Sequence, residues 1–457
     1  MLIRTTACCL ILVIVAQVCA AADNKTREFE LDNGLKVIVQ EDHRAPVVVS
    51  QIWYKVGSSY ESSGQTGISH VLEHMMFKGT RRHGPGEFSR IISINGGREN
   101  AFTGRDYTAY FQQLAKDRLR VSFELEADRM RHLTLSKQEF DKEINVVMEE
   151  RRLRTEDDPQ AKLDELFNAG AFISGPYHHP IIGWMDDLQN LRVDDIKKWY
   201  QTWYAPNNAT LVVVGDINPD RVYKLAEKYF GDLKPSHILM PKPRHEIRQQ
   251  GQRQLDLKAP AELPYLIMGY KVPVLKTADA AWEPYALEVL AGILDGGNSA
   301  RLARDIVRGK QIAADAGAGY NMFARLDDVF TLDGTPAPQH DIQGLETAFR
   351  QQIDDLRNQL VSEDELKRVK AQVVAADVYQ RDSVFYQAMQ IGMLETVGLD
   401  WHLIDNYVDR IREITAQQVQ AVARKYLIDD NLTVAILEPQ QIKTDAQQEP
   451  EEISHEQ

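Results

Sequence analysis

The chain has 457 residues, of which 43% are hydrophobic and 26% charged, and its formal net charge is −14. This balance excludes a disordered or collagen-like protein, and at roughly 150 residues per domain the length favours several domains. The acidic charge argues against nucleic-acid binding, because phosphate contacts require concentrated lysine and arginine. Composition therefore indicates a soluble globular protein.

Residues 1–20 are predicted to be a signal peptide. Arg4 precedes an apolar run from Ala7 to Ala16, and a small-residue site ends at Ala20, which is the order typical of secretory signals. The run is shorter than the roughly 20 residues that a spanning helix needs. We therefore expect export, cleavage after Ala20 and no stable membrane insertion of the mature chain, with an uncleaved anchor as the alternative. All three cysteines lie in this segment, so the mature chain would have no disulfide.

Periodicity predicts strands and long amphipathic helices in the first half of the chain. In chain order, strands are expected at 35–40, 47–56, 100–111 and 210–214, and helices at 67–78, 86–95, 119–133, 137–154 and 194–203. The two kinds of element do not alternate strictly. The expected fold class is therefore α+β, with a sheet on one side and helices on the other.

The second half of the chain resembles the first. Residues 191–214 match residues 414–437, with Thr210 falling on Thr433, and residues 46–56 match residues 264–272. Two matches in the same order predict a duplication.

Composition then divides the chain into segments. Residues 233–253 are rich in proline, which is typical of a linker. We therefore predict an N-terminal domain at 27–232 and a homologous C-terminal domain at 254–439. Residues 440–457 are acidic and nearly free of apolar side chains, so they are predicted to form a disordered tail.

The segment from Gly67 to Gly79 carries a pattern with metal chemistry. His70 and His74 are four residues apart, so they share one face of a helix and can both reach a zinc ion. Glu73 lies beside them and could hold a water molecule bound to that metal. This is the H-x-x-E-H order, the inverse of the commoner H-E-x-x-H helix of zinc proteases. Alone, the pattern would more often be a surface helix with two exposed histidines and a solvated glutamate.

A third ligand must come from elsewhere, because a catalytic zinc usually has three protein ligands and one open position. The helix predicted at 137–154 offers Glu143 and Glu150, which are seven residues apart on one face. Glu149 is the neighbouring alternative. The residues alone do not decide between Glu149 and Glu150.

At this point the sequence resembles a known family. Glu150 follows the His70 motif by about 76 residues, and further similar segments are Asn100-Ala-Phe-Thr103, Thr108-x-Tyr110, His179-Pro-Ile-Ile-Gly183, Pro206-Asn-Asn208 and Gly215-Asp216. Together they resemble the inverted-motif zinc peptidases of the pitrilysin/insulinase family, and more closely the bacterial relatives of mitochondrial processing peptidase. The similarity extends over nearly the whole mature chain.

The resemblance implies a fold and a site. It implies two homologous α+β domains, each a mainly antiparallel sheet flanked by helices, joined by a linker into a clam-like half-shell. It implies one Zn²⁺ per chain, with Glu150 as the third ligand, Glu143 as a supporting carboxylate and Glu73 as the general base. It also implies periplasmic or secreted localisation, taken together with the signal.

The substrate implied is a peptide or an unfolded segment of a protein. Asn100, Ala101 and Phe102 would form an edge strand that pairs with the backbone of this peptide.

The second half departs from the family pattern. Aligning the halves with an offset of 218 places Glu288, Ala291 and Gly292 at the motif positions, so no comparable metal site is expected there. Self-sufficient relatives have an arginine and a tyrosine seven residues apart that support the substrate carbonyl. Here Arg308 matches the arginine, but Asp315 stands in the position of the tyrosine.

These observations leave two main hypotheses. The first is an exported zinc endopeptidase that needs a homologous, zinc-free subunit, in a heterodimer, to supply the missing pair; a homodimer is the other possible assembly. The second is a peptide-binding or assembly subunit that does not cleave. A zinc-storage site is disfavoured, because a glutamate beside an open coordination position has no structural purpose.

Overall fold

Two β-sheets, one in each half of the chain, organise the fold. The computed structural model describes residues 25–242 and 244–441. The first half contains strands β1 (Thr26–Glu30), β2 (Lys36–Glu41), β3 (Val47–Tyr54), β4 (Arg98–Thr103), β5 (Thr108–Ala115) and β6 (Ala209–Gly215). Its helices are α1 (Ile68–Met75), α2 (Glu87–Ile94), α3 (Leu119–Arg131), α4 (Lys137–Arg151), α5 (Pro159–Ala171), α6 (Met185–Asn190), α7 (Val193–Trp203) and α8 (Pro219–Phe230).

The second half repeats this composition with fewer strands. Its strands are β7 (Arg253–Pro260), β8 (Tyr265–Val272), β9 (Ala313–Gly319), β10 (Asp328–Pro336) and β11 (Leu432–Gln440). Its helices are α9 (Glu283–Asp295), α10 (Ile342–Asn358), α11 (Glu363–Gln380), α12 (Val384–Val397), α13 (Leu403–Glu413) and α14 (Ala416–Tyr426). The α+β class is confirmed.

Apart from β1, which has no counterpart in the second sheet, the two sheets have the same topology. The first has the order β1-β2-β6-β3-β5-β4 and the second β7-β11-β8-β10-β9. The pairs β2–β6 and β7–β11 are parallel, and the other pairs are antiparallel. Thr210 pairs with Trp53, and Thr433 pairs with Gly269 at the equivalent register position. This common topology supports the duplication predicted from the sequence.

The single strand predicted at 100–111 is wrong, because these residues form the hairpin of β4 and β5. The Gly104 N–H donates to the Tyr107 carbonyl oxygen at 2.8 Å and closes the turn. Asp106 in this turn is buried and accepts from the Ser59 hydroxyl at 2.7 Å and from Arg325 of the second half at 3.1 Å. The turn interrupts the predicted strand at Asp106, and the carboxylate of this residue is satisfied by its ion pair with Arg325.

Each sheet is covered by helices of its own half on one face and by one helix of the other half on the opposite face. Helix α12 packs on β3 and β6, and α5 packs on β7, β8 and β11. Both contacts are close. A methyl group at Gly392 of α12 would overlap the indole of Trp53, and one at Gly269 of β8 would overlap the ring of Phe167 in α5. The halves therefore share their cores and are not joined by the linker alone.

The segment between α8 and β7 contains no helix or strand in its described part, residues 231–242 and 244–252. Glu246 anchors it. Its carboxylate accepts from the backbone N–H groups of Ile173, Ser174 and Gly175 at 2.7–3.1 Å and lies 2.9 Å from the Lys271 ammonium. One side chain thus joins the linker to both halves.

The predicted chain ends fall largely outside the described residues. The predicted signal peptide at 1–20 and residues 442–457 of the predicted tail lie outside them. The first residue of that predicted tail, Gln440, is the last residue of β11 and pairs with Pro260. Within residues 25–242 and 244–441, no helix is both long and apolar enough to cross a membrane.

The contact between α12 and the first sheet makes a testable prediction. Gly392→Ala should lower the free energy of unfolding by about 1–3 kcal/mol, because the added methyl group overpacks against Trp53. Gly84→Ala is the matched control, since nothing lies within 4 Å of its added Cβ. Urea denaturation of both variants measures the difference. Equal stability of the two variants would contradict the close packing of α12.

A second prediction concerns Glu246. Burial alone would raise the pKa of its carboxyl group, but the hydrogen bonds from Gly175 and Ile173 and the ion pair with Lys271 lower it. A lowered pKa in the folded state stabilises the protein above the ordinary carboxyl pKa, and this stabilisation is lost as the pH falls through the folded-state value.

Glu246→Gln should therefore destabilise the protein by about 2 kcal/mol at pH 7. The difference from the parent protein should shrink as the pH falls below about 4. Denaturation at several pH values measures it, with exposed Glu262→Gln as control. A difference that does not change with pH would contradict this account.

Candidate active site

The start of helix α1 is fixed by tertiary contacts. Gly67 has a φ of +82° there, and a Cβ at this position would lie 2.5 Å from the carbonyl oxygen of Ile182. The buried carboxylate of Glu61 accepts from the N–H groups of Gly67 at 2.7 Å and Ser69 at 2.9 Å. These bonds satisfy N–H groups that a helix start leaves without partners. The glycine and the carboxylate together set where the two histidines project.

Helices α1 and α4 pack together and bring three candidate ligands to one point. The Nε2 atom of His74 lies 3.3 Å from Oε2 of Glu150, and Nε2 of His70 lies 3.9 Å from the same oxygen. The ligand atoms of the three residues all lie within 4.8 Å of one another. Ligands of a tetrahedral zinc ion are about 3.3 Å apart, so the donor set fits zinc.

Glu150, and not Glu149, is the carboxylate that meets the histidines. Glu149 points to solvent and pairs with Arg152 at 2.8 Å. The structure thus separates the two alternatives that the sequence left open. Among the described residues, this is the one group of three or more His, Cys, Asp or Glu side chains close enough to hold a metal ion.

Glu143 lies two turns before Glu150 on the same face of α4 and contacts the Nδ1 side of His74. Its Oε1 lies 2.9 Å from Nδ1 of His74, and its Oε2 lies 2.6 Å from the Lys78 ammonium. The bond at Nδ1 fixes the imidazole tautomer and leaves Nε2 free to bind a metal. Burial alone would lower the pKa of His74, but Glu143 and the nearby charge of Glu150 raise it.

The pKa of His70 is shifted in the opposite direction from that of His74. Burial, together with the neighbouring His74 and Arg154, lowers the pKa of His70 to about 3. Its imidazole therefore stays neutral, as metal binding requires. Arg154 itself lies 2.9 Å from Oε1 of Glu150.

Arg154 is a part of the site that sequence spacing does not reveal. The helix predicted to Arg154 ends as an α-helix at Arg151 and continues as a π-helical turn, Arg152–Glu156. Such turns are rare and frequent at functional sites. Local sequence gives no signal for this turn, which carries Arg154 to the oxygen of Glu150 that faces away from the histidines.

Glu73 is half-buried beside the candidate ligands and is not one of them. Its Oε2 accepts from the hydroxyl of Thr103 at 2.5 Å, a contact that sequence spacing could not reveal. Burial raises the pKa of Glu73, and the Thr103 hydrogen bond opposes this rise only in part. The carboxylate is thus held by strand β4 with its basicity increased.

Strand β4 is the edge of the first sheet, with β5 as its one neighbour among the described strands. The Ala101 N–H faces the open edge, where it donates to the side-chain oxygen of Asn100 at 2.9 Å. Phe102 packs edge-on against Trp53 at 5.3 Å between ring centroids. The edge expected at these three residues is therefore present next to Glu73.

A cavity of about 740 Å³ lies over these groups. It is lined by the three ligand candidates, by Glu73 and by the edge strand, and also by Arg105, Arg154, Asp164, Asn168, Tyr177, His178 and His179. His178 and His179 are outside the ligand group, and Nδ1 of His178 lies 2.7 Å from the Gly175 carbonyl oxygen.

Arg308 and Asp315 are not brought to this cavity. Arg308 is exposed at the end of a π-helical segment (Leu302–Gly309), and its guanidinium donates to the carbonyl oxygens of Asn298 and Ala303. Asp315 lies exposed on the edge strand β9, paired with Thr335.

Comparison with known proteins decides the family. The family model described as insulinase (peptidase family M16) matches residues 36–183, and the model described as the peptidase M16 inactive domain matches residues 190–373. The zinc protease PqqE of Helicobacter pylori is 33% identical over 421 residues, which cover 91% of this chain and 93% of that protein. The chain belongs to the insulinase (M16) family of peptidases.

Further similar proteins support the assignment. An uncharacterized zinc protease of Bacillus subtilis, YmxG, is 25% identical over 416 residues and covers 90% of this chain and 98% of that protein. The crystal structure of a protease from Helicobacter pylori matches with a TM-score of 0.86 and 31% identity, covering 91% of this chain and 100% of the other. The resemblance noted from the sequence is confirmed.

A more distant structure shows how widely the fold is shared. The crystal structure of a peptidase M16 inactive domain from Pseudomonas fluorescens matches with a TM-score of 0.82 at 16% identity. The match covers 91% of this chain and 98% of the Pseudomonas fluorescens chain. At this identity the similarity concerns the fold alone.

The contact between Glu143 and His74 can be tested by metal binding. Glu143→Gln should weaken zinc affinity by roughly 10–100-fold, because the imidazole loses its charged partner. Glu149→Gln, on the exposed side of the same helix, should leave it unchanged. Competition with a chromophoric chelator at pH 7.5 measures both. Equal affinities of the two variants would contradict a supporting role for Glu143.

Proposed function

We propose that this M16 family member is an exported zinc-dependent endopeptidase that hydrolyses peptides or unfolded segments of proteins. The proposal rests chiefly on one observation. The half-buried carboxylate of Glu73 lies next to the three candidate ligands and an open sheet edge, and all of them line one cavity of about 740 Å³. Export is inferred from residues 1–20, and a periplasmic location follows from that inference.

The metal would be held by His70, His74 and Glu150, with Glu143 fixing the imidazole of His74. Zinc in such a site supplies Lewis-acid chemistry, which polarises a carbonyl group and makes water more acidic. Arg154 balances the second oxygen of Glu150 at 2.9 Å. The other steps depend on side chains of the chain itself.

Glu73 would move the proton. Its carboxylate takes a proton from the attacking water and returns it to the amide nitrogen of the leaving strand, as a general base and then a general acid. Burial raises the pKa of Glu73, which suits both roles because the group must accept and then release a proton. The Thr103 hydroxyl would hold one carboxylate oxygen during both transfers.

The peptide would bind as an added strand along β4. The N–H of Ala101 faces the open edge and would exchange its bond to Asn100 for one to the substrate backbone. Phe102 is held against Trp53 and would keep the strand straight. Backbone pairing of this kind gives affinity with little side-chain specificity, which suits unfolded substrates.

A second subunit would complete the site. Arg308 lies on the surface, outside the cavity of its own chain, and Asp315 takes the position at which relatives have tyrosine. A carboxylate cannot donate a hydrogen bond to a developing oxyanion as a phenol does. We therefore propose a heterodimer with a homologous, zinc-free subunit that brings an arginine and a tyrosine; a homodimer is the alternative.

Turnover of a quenched, unstructured peptide by the zinc-loaded mature chain tests the role of Glu73. Glu73→Gln should reduce kcat by about 10²-fold or more, because the proton acceptor is lost. Zinc affinity should stay unchanged, since Glu73 is not a ligand. Glu149→Gln is the matched control. Cleavage that persists in Glu73→Gln at the parental rate would refute the mechanism.

The need for a partner is tested separately, by measuring peptide turnover with and without the homologous subunit. The mature chain alone should cleave slowly, and addition of the homologous subunit should raise kcat. Full activity of the chain alone would overturn the partner proposal while leaving the role of Glu73 intact. Absence of cleavage with zinc and subunit both present would favour the alternative, a peptide-binding or assembly subunit that does not cleave.

A further inference from the structure

A second cavity, of about 360 Å³, lies within the C-terminal half. It lies among helices α9, α11, α12 and α13 and residues 320–323 that follow β9. Its polar and aromatic lining includes Tyr285, Glu288, Phe323, Asp377, Arg381 and Tyr407. The volume falls in the range of sites for small molecules.

Glu288 projects into this cavity without a partner. Among the described residues it makes no hydrogen bond or ion pair, and burial raises the pKa of its carboxyl group to about 7. The other charged side chains of the lining neutralise each other, because Asp377 lies 2.9 Å from Arg381. When it is ionised, Glu288 is therefore the one unbalanced charge among the side chains that line the cavity. A buried carboxylate is costly unless it is paired or protonated.

Aromatic rings form the walls next to this charge. The ring of Tyr407 lies 6.2 Å from that of Tyr285 and 6.3 Å from that of Phe323, in tilted arrangements. Glu288, Tyr320 and Tyr407 line the same cavity. Burial, and next the charge of Glu288, raises the pKa of both tyrosines. Aromatic faces attract cations, most strongly where water is excluded.

The cavity occupies the position that corresponds to the metal site of the first half. Helix α9 packs against α11, α14 and β9, as α1 packs against α4, α7 and β4. Glu288 takes the place of His70, and Ala291 and Gly292 take those of Glu73 and His74. One free carboxylate without further ligands does not hold a divalent metal ion. The chemistry left there is a negative charge within an aromatic cage.

We propose that this cavity binds a small organic ammonium ion. Glu288 pairs with the cationic nitrogen, and Tyr285, Phe323 and Tyr407 contact its alkyl groups through cation–π interactions. This recognition is independent of the peptidase chemistry proposed for the first half, since no residue is shared between the two cavities.

Calorimetric titration of the full mature chain at pH 8 tests the proposal. The probes are choline chloride and its uncharged isostere 3,3-dimethylbutan-1-ol, at constant ionic strength. We expect choline to bind at least about tenfold more tightly, and Glu288→Gln to remove this preference. Exposed Glu262→Gln is the matched control. Tyr407→Leu should weaken choline binding while its thermal unfolding confirms that it is folded.

The outcomes are distinct. Equal binding of choline and its isostere, or unchanged choline affinity in Glu288→Gln, would overturn the proposal. Preference for Nα-acetyl-lysine methylamide over choline, lost in Glu288→Gln, would support the same chemistry with a peptide side chain as the source of the cation. Because binding is measured, the result does not depend on whether the chain cleaves peptides.

Discussion

The contact between Glu143 and His74 is the interaction on which the candidate metal site depends. Glu143 joins two helices that are far apart in the sequence, because its two oxygens contact His74 and Lys78 of the α1 segment from a position on α4. The same face of this helix then presents Glu150 two turns further along. Removing the partners of a buried carboxylate leaves a costly unpaired charge. The geometry of the ligands is thus coupled to the stability of the helix pair.

Local spacing predicted the parts of the site that lie on one helix. The i, i+4 relation of His70 and His74 follows from helix geometry alone. The choice of Glu150 over Glu149 needed the direction of α4 relative to α1, which the family resemblance supplied and the pattern did not. The contacts of Thr103 and Arg154 depend on a hairpin and a π-helical turn, both of which tertiary contacts determine.

The two halves show how one fold can hold different chemistry. Their sheets share order and direction, and the metal-site helix has its counterpart in α9. In one half, imidazoles and carboxylates converge; in the other, a lone carboxylate faces aromatic rings. In both halves the helices pack on the sheet in the same way, although the polar side chains differ. The scaffold therefore constrains the position of a site and leaves its polar groups free to differ.

The exchange of α5 and α12 between the halves has a consequence for how the protein can be divided. Each sheet has two apolar faces, and the cover of one face is encoded on the far side of the linker. A fragment that ends at the linker would expose the surface of Trp53 and its neighbours to water. Because the two halves share these apolar clusters, they are expected to unfold together, and neither is expected to be stable when it is expressed alone.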